Sequence, residues 1–413
     1  MYSDKAKKEL LALFTELIAI PSENPPGNEK QAAEFIRDIF QKDGIKTEII
    51  EKEPGRSNVY AEIGDGEKQP ILLLSHIDVV PGTGEWKFPP FSAYNHNGII
   101  YGRGTLDTKH LTAMEIMTIL LLKRSGITLN RKIKFLATAD EENGSAYGME
   151  FIAKEYPELM AAEYVISEGG GFVITQNNKK FRTITCGEKG ACAMSLFWKK
   201  DDNASVFSAS ETKAGKLLQC LKALSAYEPE EEITPPTRLF LEATEGVIED
   251  KTLKDLWQYS TKSCLTINGF EYIASKEEEE EKGSLPLTYN FIHGTTEQDI
   301  KEIMEHLLSE AKGECTINGI SEGYENSMEN PFIEALEDIS NQYDPGTKLL
   351  PMIALGRTDG RFIRKNVYGY SPMLDDIPFS EVLKKVHQID ECISEKSLYY
   401  GAEVLYDTLC RLV

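Results

Sequence analysis

The chain has 413 residues, which is too long for one ordinary hydrophobic core, so we expect two domains. Hydrophobic residues make up 41% and charged residues 27%, a composition that fits a folded enzyme or binding protein and excludes a disordered chain. The formal charge of −22, with no opposing block of Lys and Arg, argues against a nucleic-acid partner.

The N-terminal segment and the cysteines indicate in which cellular compartment the protein is expected. Residues 1–20 have an amphipathic helical pattern, without the apolar core and cleavage site of a secretory signal. No apolar run reaches membrane-spanning length, so no membrane partner is expected. The seven cysteines form no Cys-x-x-Cys pair, which favours a reduced, cytoplasmic setting.

The first 180 residues alternate between helical and strand patterns. The periodicity predicts helices at about 4–19, 29–43, 109–125 and 145–156. Between them, the runs at 71–80 and 133–139 are apolar almost throughout, as in central strands covered by helices on both faces. The alternation predicts an α/β fold with a mixed, mostly parallel sheet between helices.

The pattern changes near residue 188. The order strand–helix–strand–strand–helix–strand predicts an α+β lid domain with a four-stranded sheet and two helices, and "KEEEEEK" (276–282) is typical of a solvated hairpin loop. The α/β pattern of the first 180 residues returns after about residue 323. We therefore expect a catalytic domain of residues 1–187 and 323–413, with a lid domain of residues 188–322 inserted into it.

A histidine and an acidic residue follow the first apolar strand. His76 ends this strand, and Asp78 comes two residues later on the same face. The Asp78 carboxylate can therefore hydrogen-bond the far nitrogen of His76 and select its tautomer. A buried structural His–Asp pair explains this motif equally well.

Further acidic and imidazole groups lie at the ends of predicted elements. Taken singly, Asp107 is typical of a helix N-cap, and a lone histidine such as His387 is usually a surface or core residue. Together with His76, these residues form a candidate site for zinc or a neighbouring metal, whose other carboxylates are Glu141, Glu142 and Glu168.

The three adjacent carboxylates in "TADEENGS" repel one another. Such neighbours are tolerable if one binds a dication while the next accepts a proton from a metal-bound water. The strand-to-turn geometry points neighbouring side chains in different directions. Glu141 and Glu142 therefore need not share one role.

Eight motifs occur in a recognisable order. They are "IPSENPPGNE" (20–29), "SHIDVVP" (75–81), "GIIYGRGTLDTK" (98–109), "TADEENGS" (138–145), "SEGGGF" (167–172), "GEKG" (187–190), "RTDGRFIR" (357–364) and "VHQIDECIS" (386–394). Together they resemble the di-zinc amidohydrolases that include aminoacylase, carboxypeptidase S, carboxypeptidase G, succinyl-diaminopimelate desuccinylase and acetylornithine deacetylase. "WKFPPFSA" (86–93) makes the carboxypeptidase S and aminoacylase branch the nearest match.

The resemblance implies two zinc ions, with Co²⁺ or Mn²⁺ as substitutes, bridged by Asp107. One ion would be held by His76 and Glu168 and the other by Glu142 and His387. It also implies a cis peptide bond after Asp107.

The resemblance further implies how the reaction would proceed. Glu141 would be the general base acting on a metal-bridging hydroxide, and Asp78 would be the partner of His76. Arg361 lies where the family has an arginine near the substrate's carboxylate. A surface salt bridge is an equally good explanation of Arg361 by itself.

The inserted region departs from the family pattern. Asn203 stands where the family has a lid histidine that stabilises the oxyanion, and Thr288 and Asn290 stand where it has Asp-x-Arg. Asparagine can donate a hydrogen bond to an oxyanion, but it cannot carry a proton. Loss of one oxyanion donor slows turnover by about 100- to 1000-fold, so a slower enzyme is expected.

The sequence thus predicts a metal-dependent hydrolase that cleaves an amide bond in a small N-acyl amino acid or short peptide with a free carboxylate. The predicted assembly is a homodimer through the lid domain. The alternative is a family member that binds metal but has lost catalysis, because the lid histidine is missing. A nucleotide-binding protein is set aside, because "SEGGGF" lacks the G-x-G-x-x-G spacing and no Walker lysine follows.

Overall fold

The computed structural model describes residues 3–198, 213–273, 282–309 and 314–413. Its α-helices are α1 (Asp4–Ala19), α2 (Lys30–Lys42), α3 (Lys109–Ser125), α4 (Met149–Glu155), α5 (Pro157–Met160), α6 (Lys213–Ser225), α7 (Pro235–Ala243), α8 (Lys251–Thr261), α9 (Glu297–Leu308), α10 (Pro331–Tyr343), α11 (Phe379–Leu383) and α12 (Glu395–Leu412). Short 3₁₀ helices cover Glu141–Asn143 and Asp359–Phe362.

The strands are β1 (Thr47–Glu51), β2 (Ser57–Ile63), β3 (Lys68–His76), β4 (Tyr94–His96), β5 (Ile99–Tyr101), β6 (Arg131–Thr138), β7 (Tyr164–Ser167), β8 (Val173–Gln176), β9 (Lys179–Glu188), β10 (Gly190–Trp198), β11 (Cys264–Ile267), β12 (Glu271–Ile273), β13 (Lys282–Phe291), β14 (Glu314–Ser321), β15 (Tyr324–Glu325), β16 (Lys348–Ile353), β17 (Val367–Gly369) and β18 (Cys392–Ser394).

The larger sheet has the strand order β1-β2-β6-β3-β7-β17-β9-β15, and β8 and β16 also pair with β9. Its centre is parallel, since β3 runs parallel to both β6 and β7, and β17 runs parallel to β7. The antiparallel pairs lie towards its two sides, for example β1 with β2 and β9 with β15. This arrangement confirms the predicted mixed α/β fold class.

Helix α3 is the buried helix next to the parallel strands. It packs against β3 on one side and against α1 and α12 on the other. Apolar residues occupy nearly its whole circumference, as expected of a helix covered on all sides, and most of its residues are buried. The start of α3 is therefore held firmly beside the strand ends.

A second sheet is formed by strands between residues 190 and 321. Its order is β11-β13-β10-β14, and β12 pairs with a different part of β13 from the part that β11 pairs with. Five strands therefore make a sheet four strands wide, close to the predicted one. Helices α6 and α9 pack on this sheet around a core that includes Cys192, Leu285 and Ile300.

Helices α7 and α8 were not predicted from the sequence. α7 begins with Pro235, which suits the first helical turn because it needs no N–H partner there. Both helices pack against β16, and Phe240, Leu253 and Leu256 belong to the core of the larger sheet. The segment from 235 to 261 thus lies inside the predicted lid range but packs on the catalytic sheet. The domain boundaries stay a prediction.

A small three-stranded sheet joins two distant parts of the chain. β5 pairs with β4 and with β18, so residues 99–101 lie next to residues 392–394. Just before β18, the Glu391 carboxylate accepts hydrogen bonds from the backbone N–H of Leu106 at 2.6 Å and of Asp107 at 3.3 Å. This sheet therefore brings the loop that contains His387 to the loop that contains Asp107. Among the described residues, no helix is long and apolar enough to cross a membrane.

Candidate active site

The candidate site lies at the carboxyl ends of three adjacent parallel strands. β3 ends at His76, β7 ends one residue before Glu168, and β6 ends shortly before Glu141 and Glu142. Carboxyl ends of neighbouring parallel strands share one edge of the sheet, which is where open α/β sheets bind ligands. The loop before α3 adds Asp107 to the same place.

His76 provides one half of the site. Its Nε2 lies 3.0 Å from Asp107 Oδ1 and 3.3 Å from Glu168 Oε2, and the side chain is 1% exposed. Its Nδ1 lies 2.9 Å from the Asp78 carbonyl oxygen and 3.5 Å from the Asp78 carboxylate. The nearer partner of the ring is thus the backbone carbonyl of Asp78, not the carboxylate expected from the sequence.

His387 provides the other half. Its Nε2 lies 2.9 Å from Asp107 Oδ2 and 3.1 Å from Glu142 Oε2. The two imidazoles therefore contact different oxygens of one carboxylate. That Asp107 bridges two metal ions stays a prediction. The peptide bond between Asp107 and Thr108 is cis, as the resemblance implied.

The Asp78 carboxylate binds the backbone of the acidic turn, residues 140–142. Oδ1 accepts the backbone N–H of Glu141 at 3.1 Å, and Oδ2 accepts that of Glu142 at 3.2 Å. Asn24 also donates its side-chain amide to Oδ2, at 2.9 Å. This buried carboxylate therefore fixes the backbone of both glutamates, which explains why it is not the nearer partner of His76.

A buried network that the sequence analysis missed lies behind this turn. Arg56 donates to Asp140 at 2.6 Å and to both oxygens of Glu29 at 3.0 Å, and Asn24 donates to Asp140 at 2.9 Å. Asp140 adopts a left-handed backbone with φ of 65°. Asn24 and Glu29 belong to the quoted "IPSENPPGNE" motif, which was a signal that this segment supports the site.

Several donor atoms lie close enough together to hold a divalent metal ion. Single donor atoms of His76, Asp107 and Glu142 lie within 4.8 Å of one another, and so do those of His76, Glu141 and Glu168. The Glu142 Oε1 atom is buried and finds no hydrogen-bond partner among the described residues. Imidazole and carboxylate ligands suit zinc and neighbouring transition metals better than calcium.

The pKa directions follow from burial and close charges. Burial, followed by repulsion from Glu168, raises the pKa of Glu141 well above its usual value. Burial alone would raise the pKa of Asp107, but hydrogen bonds from His387 and His76 lower it. Hydrogen bonds to Asp107 and Glu142 raise the pKa of His387 to about 10, so any cation that bound this ring would have to compete with a proton.

Two arginines line the active-site pocket and differ in their contacts. Arg361 is 5% exposed, and its guanidinium lies 2.5 Å from the Thr358 carbonyl, 2.9 Å from Ser145 Oγ and 3.4 Å from Glu141 Oε1. Arg357 is exposed and makes no hydrogen bond or ion pair with a described residue. The sequence analysis quoted Arg357 within a motif but did not select it.

The pocket itself has a volume of about 670 Å³ and contains all the metal-ligand candidates except the buried His76 in its lining. Apolar side chains form another part of its wall: Leu106, Phe172, Phe379, Leu383 and Val386. Asn203, the predicted replacement for the lid histidine, lies outside the described residues.

Comparison with known proteins places the chain in a family. Residues 72–411 match the model of peptidase family M20/M25/M40. The chain belongs to this family. It is 34% identical over 174 residues to a probable succinyl-diaminopimelate desuccinylase of Staphylococcus aureus, covering 41% of this chain. The match spans 40% of the length of that curated relative.

Solved M20 structures share the fold over nearly the whole chain. An M20 family metallo-carboxypeptidase from Sulfolobus solfataricus has a TM-score of 0.72 at 21% identity, with 98% of this chain and 99% of that chain covered. A dinuclear metal-binding M20 peptidase from Bacillus subtilis has a TM-score of 0.66 at 14% identity, with 98% of each chain covered. At sequence identities this low, the structural similarity shows that the chain has the M20 fold and nothing more.

Proposed function

We propose that this M20 family member is a metal-dependent hydrolase that cleaves an amide bond in a small N-acyl amino acid or short peptide. The observation that supports this best is the contact of His76 and His387 with different oxygens of Asp107, beside Glu141. The names of the matched proteins, a desuccinylase and a carboxypeptidase, also support an amide bond as the target.

The proposed metals are two Zn²⁺ ions, for which Co²⁺ or Mn²⁺ can substitute. Asp107 would contact both ions, His76 and Glu168 would hold one, and Glu142 and His387 the other. When bound, such ions lower the pKa of water towards ~7 and polarise a carbonyl group.

Glu141 is the proposed general base. Burial and repulsion from Glu168 raise its pKa, a direction that suits a carboxylate that accepts a proton from water and then donates it to the leaving nitrogen. Among the described residues its ion-pair partner is Arg361, at 3.4 Å, so no shorter ion pair holds its carboxylate there. Asp78 fixes the backbone of Glu141, so the base keeps its position during proton transfer.

The two pocket arginines are the proposed anchors for the substrate's free carboxylate. The donors of Arg357 make no hydrogen bond with a described residue, whereas Arg361 already donates to the Thr358 carbonyl and to Ser145 Oγ. A guanidinium can bind a carboxylate with two parallel hydrogen bonds. We therefore assign the direct contact to Arg357, with Arg361 beside it, which shifts the emphasis from the residue selected in the sequence.

We also propose a homodimer through the lid region and a cytoplasmic location. Leu218 on α6 and Phe270 beside β12 are each 66% exposed, and such apolar side chains suit an interface. All seven cysteines are free thiols, in keeping with a reducing compartment. Asn203 remains the predicted oxyanion donor.

The function is tested by loading wild type and Glu141→Gln with zinc and measuring turnover on a panel of N-acyl amino acids and dipeptides. Both proteins should bind the same amount of metal, and the variant should be about 10²- to 10⁴-fold slower, because a general base contributes this much. If both proteins bind metal and neither hydrolyses any panel member, the chain is the non-catalytic metal-binding alternative.

A further inference from the structure

Arg103 is a buried arginine that contacts the loop containing His387. Its side chain is 3% exposed, and it lies two residues after β5. Its Nη1 atom donates to the Glu391 carboxylate at 2.7 Å and to the Gln388 carbonyl at 3.1 Å. Its Nη2 atom donates to the carbonyls of His387 at 3.3 Å and Pro81 at 3.4 Å. One guanidinium thus holds the backbone of His387 and of the residue after it.

The side chain and backbone of His387 both need such support. The ring is 44% exposed, so packing against neighbouring side chains does little to hold the imidazole in one place. The φ of 61° lies in the left-handed region, which a residue other than glycine adopts when its surroundings hold it there. The backbone contacts of Arg103 supply this constraint.

Glu391 connects the same guanidinium to the loop that contains Asp107. Its Oε2 atom accepts from Arg103, while its Oε1 atom accepts the backbone N–H of Leu106 at 2.6 Å and of Asp107 at 3.3 Å. The Glu391 side chain is fully buried, so water does not compete for these hydrogen bonds. The ion pair and the 2.9 Å contact between His387 Nε2 and Asp107 Oδ2 therefore join the same two loops.

We propose that Arg103 is a positioning residue for His387 and that it sets how tightly the proposed cation between His387 and Glu142 binds. This inference rests on the proposed function, which supplies the two cations. It adds that a residue outside the ligand set controls one cation and not the other. The geometry of the side chain is essential to this role, because a lysine keeps the charge but lacks the planar fork that reaches several acceptors at once.

The first measurement needs no metal. Hydrogen–deuterium exchange at residues 384–391 of the metal-free protein should be about tenfold faster in Arg103→Lys, because hydrogen bonds that hold this loop are lost. Arg131→Lys is the matched control. Arg131 is also buried and pairs with Glu163 at 2.7 Å, but it lies at the start of β6, at the opposite end of the strand from the site. The control should leave exchange at residues 384–391 unchanged.

The second measurement is zinc affinity by competition with a chromophoric chelator. Wild type should bind two zinc ions. Arg103→Lys should weaken one of them by about 10- to 100-fold, as expected for loss of a group that orients a ligand, and leave the other as in wild type. In a His387→Ala background, Arg103→Lys should cause no further loss, because Arg103 acts through His387.

Trp86→Ala provides a milder variant for the case in which Arg103→Lys does not fold. The Trp86 ring lies over the Arg103 guanidinium, with 5.1 Å between Cζ and the ring centroid. Removing the ring should weaken the same zinc ion by about two- to fivefold, the usual size of a cation–π contact.

The outcomes separate failure of this inference from failure of the proposed function. If one zinc affinity falls selectively and no panel substrate is hydrolysed, the positioning role of Arg103 stands and the hydrolase function fails. The proposal is overturned if wild type binds fewer than two zinc ions, if both affinities fall together, or if neither variant changes either affinity. An equal loss in the His387→Ala background also overturns it, since Arg103 would then act on the fold as a whole.

Discussion

The two halves of the candidate metal centre are built differently. His76 ends a central strand and its side chain is 1% exposed, whereas His387 lies in a loop with φ of 61° and is 44% exposed. The buried half is positioned by the sheet and by the Asp78 carbonyl. The exposed half is positioned by Glu391 and the short pairing of β5 with β18. If the proposed cations bind there, we expect the one at the buried half to be held more tightly than the one at the exposed half.

The largest expected effect is at the shared carboxylate. Asp107→Ala should lose both cations and all measurable turnover, because each imidazole contacts one of its oxygens. Metal content by mass spectrometry and turnover provide the measurement. Asp65→Ala, at an exposed aspartate, is the control that should keep both. If Asp107→Ala kept its full metal content, Asp107 would not be a ligand shared by the two halves.

The next variant separates the two halves directly. His387→Ala should keep about one cation per chain and lose at least about 100-fold in turnover, since the proposed ligands His76 and Glu168 remain. His76→Ala should lose the tightly held cation and also lower the melting temperature, because it removes a buried side chain. Titration with a chelator and thermal unfolding distinguish the two variants. Equal behaviour would show that the halves are equivalent.

A smaller effect is expected at the support of the turn that contains Glu141 and Glu142. Asp78→Asn replaces a carboxylate oxygen that accepts the backbone N–H of Glu141 or Glu142 with an amide that cannot accept it. Loss of such a supporting group costs about 10- to 100-fold in metal affinity or activity. The measurement is zinc affinity by competition with a chromophoric chelator. An unchanged affinity and activity would mean that the acidic turn holds its shape without Asp78.

The smallest effect concerns the substrate and leaves both metal positions intact. Arg357→Ala should raise KM about tenfold or more for a substrate with a free carboxylate, since a charge-assisted hydrogen bond is lost. The carboxamide-capped form of that substrate should be unaffected. Arg37→Ala, on the surface of α2, is the control. If KM rises equally for the free and capped substrates, Arg357 does not bind the carboxylate.

The sequence could predict that several candidate ligands lie at one edge of the sheet, because this follows from simple strand geometry. Apolar runs that end at His76 and just before Glu168 predict parallel strands with their carboxyl ends at one edge of the sheet. The structure places β3 beside β7. The pairing of His387 with Asp107 came only from family resemblance. Nothing in the local sequence indicates that β18 pairs with β5.

The sequence could not predict which side chains are already engaged in hydrogen bonds. The Asp78 carboxylate binds the N–H groups of Glu141 and Glu142, and Arg361 is occupied by Ser145 and Thr358. These contacts join residues far apart in the chain, so neither motif spacing nor periodicity reveals them. The packing of α7 on β16 was also missed. The apolar face of a short helix does not indicate which element it packs against.

The placement of His387 after the inserted sheet has a consequence for biosynthesis. A chain still emerging from the ribosome displays His76, Asp107, Glu142 and Glu168 long before His387 and Glu391 exist, since residues 190–321 must be made first. During that interval the acidic cluster has one imidazole instead of two, so its preference for transition metals over harder cations would be lower. We therefore expect the metal preference of the proposed site to depend on completion of the chain.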